Sequence, residues 1–267
     1  MNYVLCEVVY RRTTNSFITL LTMALIFFLL TNDVYANDLF RADSRAPDQI
    51  RNAGGLLPRG QDDAYERGTP ININLFDHVT GMPSGNTRYD DGYVSTTRTL
   101  NAAHNIGQNM FGGINEYYIY VISAAPNMFD VNGILGRYSP HPYENEVAAL
   151  GGVPLSQIIG WYRVSFGIIE MPMIRNNSYR GDLFRGLSLA PNEDGYRLAG
   201  FPDGHQAWRE EPWRRYAPLQ CSTDLRANSL ITCHSITNGL SQKKLSDFKK
   251  HYLKFKALFI LMALEEI

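Results

Sequence analysis

Glycine and proline punctuate this chain along most of its length, and that spacing most limits the folds open to it. The 267 residues include 22 glycines, 13 prolines and 16 tyrosines. Upstream of the last thirty or so residues, short runs of aromatic and β-branched residues recur between turn residues, and long helical repeats are few. This pattern predicts short strands joined by structured loops. With 45% hydrophobic residues, the chain can bury a sizeable core in one main domain.

The same composition argues against several classes of function. The formal net charge of −1 at pH 7 is not that of a protein whose general partner is nucleic acid. No Gly-x-Gly-x-x-Gly run opens a helix after a strand, so a Rossmann unit is not expected. His78 has no other histidine, cysteine or aspartate near it at a zinc-binding spacing, and we expect no metal.

Residues 1–36 predict a secretory signal peptide. Two arginines precede an apolar run over residues 17–30, and Val34 and Ala36 are small residues at the two positions that a signal peptidase reads. We expect cleavage after Ala36. A membrane anchor is the alternative, but the run is interrupted by threonines and is short for a span of about 20 residues.

Two cysteines remain after that cleavage, Cys221 and Cys233, and an oxidising compartment would join them. The polar, basic segment between them is of the kind that proteases cut at exposed loop tips. A cut at Arg226 would divide the protein into residues 37–226 and 227–267, tethered by the disulfide. The alternative is that the bridge only staples a loop.

The end of the chain differs in composition from the rest. Residues 239–267 contain no proline and place apolar side chains at near-helical spacing among lysines, which predicts a helical tail. Residues 257–264 are apolar on every face, so they should be buried against a partner or lie in a pore.

Two glutamates, Glu144 and Glu146, follow the proline-rich run at residues 138–142. In an extended strand they would share one face, roughly 6 to 7 Å apart. Two acids at that distance can divide the work of catalysis over one substrate. A surface strand can also carry two glutamates for solubility alone, so the pair needs support from other residues.

Arg41, Asp43 and Arg45 form a second candidate segment near the expected mature N-terminus. An arginine held by an acid can present a planar fork of donors to a phosphate. An ordinary surface ion-pair cluster is the alternative. Residues 54–70 are glycine-rich and charged, which suits a lid over a cleft or a plain surface loop equally well.

Ser95 and Thr97 share one face of a predicted strand, where their hydroxyls could bond a glutamate or a cofactor amide. The alternative is a strand whose polar residues face water. Residues 71–78 alternate apolar and polar as a half-buried strand does, which would deliver His78 at its end. A lone histidine is more often structural than catalytic.

In this order, these segments resemble the A chains of the cholera toxin and heat-labile enterotoxin family, which are secreted mono-ADP-ribosyltransferases. The resemblance runs from Asn37 to about Cys233. It rests on FRADSR at 40–45, GGLLPRGQ at 54–61, DGYVSTT at 91–97, YYIYV at 117–121, YSPHP at 138–142, GWYRV at 160–164 and AWREEPW at 207–213. GYRLAGFP at 195–202 is most similar to the type II heat-labile branch.

The resemblance implies an α+β ADP-ribosyltransferase fold, with two small crossing sheets around an NAD cleft and a C-terminal helical tail. It implies that Glu146 contacts the nicotinamide-ribose hydroxyls and that Glu144 orients or deprotonates an acceptor guanidinium. Arg41 would hold NAD through a phosphate or ribose contact. The remaining expected cleft residues are Ser95 to orient the glutamates, His78 to support the cleft, Asp43 to brace Arg41 and the lid, and Ala42 and Ser44 beside them in the NAD-binding segment.

The implied activity is transfer of ADP-ribose from NAD to an arginine of a host stimulatory G-protein α subunit, which raises cyclic AMP. Expected partners are a pentamer of receptor-binding B subunits around residues 227–267 and a host ADP-ribosylation factor as activator. The implied location is the periplasm, then the medium and finally the host cell. Family tails usually end in a Lys-Asp-Glu-Leu-like signal, whereas this chain ends ALEEI, so retrieval by that route is not expected.

Two rival classes stay open at this point. A retaining glycosidase also needs two carboxylates, usually about 5 to 5.5 Å apart, but has no need of the arginine and serine-threonine segments. A catalytically decayed, secreted binding protein could keep the shape of the cleft without turnover.

Overall fold

The structure is a computed structural model that describes residues 38–60, 71–84 and 86–218, together with the backbone of two strands at 220–222 and 232–234. The predicted signal peptide, the cut at Arg226 and the helical tail lie outside the described residues. Within the described part of the chain, no helix combines the length and the apolar character that crossing a membrane requires.

The described residues form short strands and mostly short helices. The strands are β1 (Asp38–Asp43), β2 (Gly55–Leu56), β3 (Tyr93–Thr97), β4 (Glu116–Ser123), β5 (Met128–Asp130), β6 (Glu146–Leu150), β7 (Val153–Pro154), β8 (Ile158–Ser165), β9 (Ile168–Ile169), β10 (Ile174–Arg175), β11 (Gln220–Ser222) and β12 (Thr232–His234). The helices are α1 (Pro47–Asn52), α2 (Leu75–Thr80), α3 (Leu100–Phe111), α4 (Val131–Leu135), α5 (Gly181–Phe184) and α6 (Asn192–Tyr196). This mixture confirms the predicted α+β class.

Seven strands follow one another in the order β10-β8-β4-β1-β3-β6-β5, and an eighth strand, β9, pairs with β8. β1 pairs with β4 along all six of its residues, from Asp38 to Asp43. It meets β3 at a single registered pair, Phe40 opposite Thr97. Because one pair is the whole junction, the path behaves as two small sheets joined at a point: β1, β4, β8, β9 and β10 on one side, and β3, β5 and β6 on the other.

The central strand β4 is buried on both faces, which explains why its sequence is an almost continuous apolar run. Successive side chains of a strand point to opposite faces. Ile119 and Val121 therefore pack with Phe40 in one core cluster. Tyr120 and Ile122 pack in another. β4 and β8 both form from the aromatic and β-branched runs that are typical of buried strands.

The segment at residues 71–78 is not the strand that its alternating pattern predicted. Helix α2 begins at Leu75. The backbone N–H groups of Leu75 and Phe76 donate to the carbonyls of Leu198 and Ala199, at 2.7 and 2.8 Å. The first turn of the helix is therefore satisfied by a segment more than a hundred residues away, which a local pattern cannot reveal.

β11 and β12 form an antiparallel pair whose register sets Cys221 opposite Cys233. Directly opposite residues of such a pair have Cα atoms about 4.5 to 5.5 Å apart, within the range that disulfides span. The backbone is thus compatible with the bridge, and the bridge itself stays a prediction.

Candidate active site

Residues from four elements meet where the two small sheets join. Arg41 lies on β1, Ser95 on β3, and Glu146 is the first residue of β6. The register places Thr97 opposite Glu146 as well as opposite Phe40, so the three strands converge at this point. His78 reaches the same point from α2.

The centre of the site is a buried chain of three ionisable side chains. His78 Nε2 lies 3.0 Å from Glu146 Oε1, and His78 Nδ1 lies 2.8 Å from Asp91 Oδ2. The exposed fractions of the side chains are 4% for His78, 2% for Asp91 and 12% for Glu146. The Ser95 hydroxyl lies 3.3 Å from His78 Nε2. One imidazole is therefore held between two carboxylates.

His78 and Glu146 shift each other's pKa values. Burial alone would lower the pKa of His78, but the charge of Glu146 and the hydrogen bond to Asp91 outweigh it and raise that pKa to about 10. Burial would raise the pKa of Glu146, but His78, a hydrogen bond from Ser95 and the charge of Arg41 lower it overall. At neutral pH the site therefore holds an imidazolium and an ionised Glu146.

This raised pKa predicts a pH dependence of stability. Because the pKa of His78 is 6.5 in the unfolded chain and about 10 in the folded one, its contribution is complete below pH 6.5 and is lost as the pH rises through 10. Between those limits the contribution should fall by about 1.4 kcal/mol per pH unit. Urea unfolding of the wild type and a His78→Gln variant should show the gap in unfolding free energy closing as the pH rises. A gap that is constant with pH would contradict the assigned charge.

Asp43 fixes the orientation of Arg41. Its carboxylate accepts from Arg41 Nε at 3.2 Å and from Arg45 Nε and Nη2 at 2.9 and 2.7 Å. Burial pushes the pKa of Asp43 up, but the hydrogen bond from Arg45 and the charge of Arg41 lower it overall. Arg41 Nη1 donates to the Ser95 carbonyl at 2.8 Å, which sets the guanidinium beside β3. Asp43 therefore contacts Arg41 as a brace would, and its expected support of the lid stays a prediction.

The other two residues of the predicted NAD-binding segment contribute differently. The Ala42 side chain packs in a core cluster, so only its backbone is available to a ligand. Ser44 follows the end of β1 and is exposed.

Glu144 does not lie on a strand face with Glu146, and that prediction was wrong. It ends a 3-10 turn that spans Pro142–Glu144, and Asn145 then adopts a left-handed conformation with φ of 47°. Pro142 occupies the first position of the turn, and asparagine tolerates the left-handed region better than most residues. Glu144 is partly buried, and burial followed by the charge of Glu146 raises its pKa. The two carboxylates therefore differ in their support, and their pKa values are shifted in opposite directions.

Sequence reasoning did not single out Asp91 as a site residue. Beyond its contact with His78, its Oδ1 accepts from the backbone N–H of Tyr93 at 3.0 Å. Its carbonyl accepts from the N–H of Gly60 at 2.7 Å. No local signal separates it from Asp90, since only the packing of α2 against β3 brings His78 to it.

Two sequence-based predictions stay predictions. Among the described residues no group of histidine, cysteine, aspartate and glutamate side chains could hold a metal ion, and this finding does not by itself test the expectation that no metal is needed. The lid prediction falls partly outside the described residues, since 61–70 are not among them.

Comparisons with known proteins agree with one another. The family model described as heat-labile enterotoxin alpha chain matches residues 21–266. The Escherichia coli protein named heat-labile enterotoxin IIB, A chain, is 69% identical over 240 residues, which are 90% of each chain. The Vibrio cholerae protein named NAD(+)--arginine ADP-ribosyltransferase Chelt is 48% identical over 243 residues, 90% of this chain and 40% of that protein. A solved structure of an E. coli heat-labile enterotoxin mutant matches with a TM-score of 0.62 and 60% identity, covering 67% of this chain and 97% of that chain.

Proposed function

The chain belongs to the family of heat-labile enterotoxin A chains, and from that premise we propose that the Glu146 site transfers ADP-ribose from NAD to an arginine of a host stimulatory G-protein α subunit. The protein is an NAD-dependent arginine ADP-ribosyltransferase of the toxin class, as its family and its relatives indicate. The similarity to the type II branch that its sequence indicated is confirmed by its 69% identity to the IIB chain.

The single observation that carries the proposal is the largely buried Glu146 carboxylate, held 3.0 Å from His78 where the two small sheets join. Breaking the bond between nicotinamide and C1′ of its ribose sends the electron pair to nicotinamide and leaves positive charge on the sugar. A carboxylate beside that carbon stabilises charge that develops only in the transition state. The Asp91–His78 pair supports this role: Asp91 holds the His78 ring, and the ring in turn holds the Glu146 carboxylate.

Arg41 is the residue best suited to hold the phosphates of NAD. Its Nε and Nη1 are occupied by Asp43 and the Ser95 carbonyl. Within the described part of the chain its Nη2 has no hydrogen-bond acceptor, which leaves a donor for a phosphate or ribose oxygen. An arginine whose fork is already fixed loses little conformational freedom on binding.

Glu144 suits the acceptor side of the reaction. A guanidinium is a poor nucleophile until it loses a proton, and a carboxylate with a raised pKa is a better base than an ordinary one. As a guanidinium nitrogen bonds to C1′, its proton would pass to Glu144. Nicotinamide leaves with the electron pair, so atoms and charge balance.

The finer biological assignments follow from the family. We infer a secreted A chain whose residues 1–36 are removed and whose residues 37–226 are the catalytic part. Cleavage at Arg226 and reduction of the Cys221–Cys233 disulfide would release this part from residues 227–267. That tail would engage a pentamer of B subunits, and a host ADP-ribosylation factor would act as activator. Modification of the G protein would raise cyclic AMP. The glycosidase and decayed-protein hypotheses have no comparable support.

Labelled NAD incubated with host-cell membranes and the cleaved, reduced chain tests this acceptor assignment. We expect one dominant labelled band, identified by mass spectrometry as the stimulatory G-protein α subunit modified on arginine. Label on a different protein would overturn the choice of acceptor. Absence of both label and released nicotinamide would overturn the activity itself.

A further inference from the structure

The two glutamates of the site are held by different means. The Glu146 carboxylate is bound by His78, and its backbone lies in β6 opposite Thr97. The Glu144 carboxylate makes no hydrogen bond to any described residue. Its position therefore depends on the backbone that carries it, residues 139–145, which we name the glutamate turn.

Three hydrogen bonds tie the glutamate turn to the rest of the site. Thr97 Oγ1 donates to the Glu144 carbonyl at 2.7 Å, and Asn132 Nδ2 donates to the Pro142 carbonyl at 2.8 Å. Ser139 Oγ donates to Asn132 Oδ1 at 2.7 Å. The turn is thus held at its start, its middle and the glutamate itself, from two separate elements.

Those two elements belong to the frame that also carries Glu146. Thr97 ends β3, which pairs with β6 along its whole length. Asn132 lies on α4, and the residue at the N-cap of that helix, Asp130, ends β5 opposite Val147 of β6. A turn fixed to both β3 and α4 is therefore held in register with Glu146, and releasing it from either would move Glu144 alone.

We propose that Thr97, Asn132 and Ser139 are positioning residues for the acceptor step, which hold Glu144 where an acceptor guanidinium must meet C1′ of NAD. The inference rests on the proposed function, because it concerns the transfer half of that reaction. Release of nicotinamide depends on Glu146, whose supports do not include the glutamate turn. Loosening the glutamate turn should therefore slow transfer to the acceptor but leave nicotinamide release intact. Water would then react with the sugar in place of the arginine.

The test compares two rates for each variant of the cleaved, reduced full chain. One is transfer of labelled ADP-ribose to agmatine, a small guanidinium compound, and the other is nicotinamide release without acceptor. Thr97→Val and Ser139→Ala each remove one hydrogen bond at nearly constant shape, and Asn132→Leu removes two. We expect the ratio of transfer to release to fall about tenfold or more, since a displacement of about 1 Å can cost on the order of 10²-fold in rate.

Two controls separate positioning from stability. Thr97→Ser keeps the hydroxyl and should restore the wild-type ratio. Ser123 ends β4, and its hydroxyl lies 2.8 Å from the Tyr179 hydroxyl. Ser123→Ala removes this hydrogen bond, so it should lower the melting temperature without changing the ratio. Melting temperatures measured for all variants identify any loss that comes from unfolding, which lowers both rates together.

The outcomes distinguish this inference from the proposed function. If the wild-type protein performs neither reaction, the proposed function is wrong. An active wild type whose three variants lose both rates equally, or keep both, would overturn the positioning role and leave the function intact. Selective loss of transfer in at least two of the variants, with rescue by Thr97→Ser, supports it.

Discussion

The Glu146→Gln variant is expected to release nicotinamide and transfer ADP-ribose on the order of a thousandfold more slowly than the wild type. It should remain folded but lose stability, because it also breaks the buried pair with His78. Glutamine keeps the shape of the side chain and a carbonyl that can accept from His78. It removes the negative charge that offsets the developing cation on the ribose. The loss should therefore appear in kcat more than in the KM for NAD, because the charge acts chiefly in the transition state.

Glu170→Gln is the matched control for that change. Glu170 is a surface residue 3.8 Å from Arg163, and its loss removes the same charge away from the site. We expect wild-type rates and a nearly unchanged melting temperature. Initial rates of nicotinamide release, with circular dichroism to verify folding, make the comparison. Activity of Glu146→Gln within tenfold of the wild type would mean that another group carries the catalytic charge.

The Asp91→Asn variant is expected to lose both stability and activity. Asparagine can still accept from the backbone N–H of Tyr93, but it no longer balances the charge of His78 across their 2.8 Å contact. Breaking a buried ion pair by removing one partner typically costs about 3 kcal/mol or more. Without the Asp91 carboxylate the pKa of His78 should fall, and the positive charge that holds Glu146 in place should weaken. We therefore expect a rate about tenfold to a hundredfold lower.

Asp90→Asn is the control for Asp91→Asn, because it makes the same change at the neighbouring residue. Asp90 pairs with Arg88 at 2.9 Å on a partly exposed surface, so its loss should cost less than about 1 kcal/mol. Urea unfolding at pH 7 and NAD turnover measured on both variants test the difference. Equal effects of the two substitutions would show that the buried Asp91–His78 pair has no special role.

The strands of the fold were largely predictable because their signals are local. The hydroxyl and β-branched run at β3, the aromatic run at β4 and the apolar run at β8 each have the composition of a buried strand, and all three form strands. The single pair that joins the two small sheets, Phe40 opposite Thr97, cannot be predicted from the sequence of either strand. It depends on how the two sheets pack.

The two wrong predictions at the site have the same kind of cause. Residues 71–78 have a strand-like alternation, yet α2 forms because distant carbonyls at Leu198 and Ala199 satisfy its first N–H groups. Glu144 and Glu146 have strand-like spacing, yet Pro142 begins a 3-10 turn and ends that regularity. In both places tertiary contacts or a proline overrode a pattern with period two.

The site residues were predictable only through family resemblance. Spacing alone left Arg41, Ser95 and Glu146 as separate candidates, and the structure brings them together at the sheet junction. His78 reaches the same point by a helix instead of a strand. Asp91 was missed because a buried aspartate beside a partly exposed one has no distinguishing mark in sequence.

The central claim is that one site cleaves NAD and passes the sugar to a guanidinium, and counting both products in one reaction tests it most directly. NAD labelled separately in nicotinamide and in ADP-ribose is incubated with agmatine and the cleaved, reduced chain. We predict that, at saturating acceptor, each nicotinamide released is matched by one ADP-ribose on agmatine, and that Glu146→Gln loses both. Nicotinamide release without transfer to any guanidinium acceptor, or either product formed at the wild-type rate by Glu146→Gln, would contradict this account.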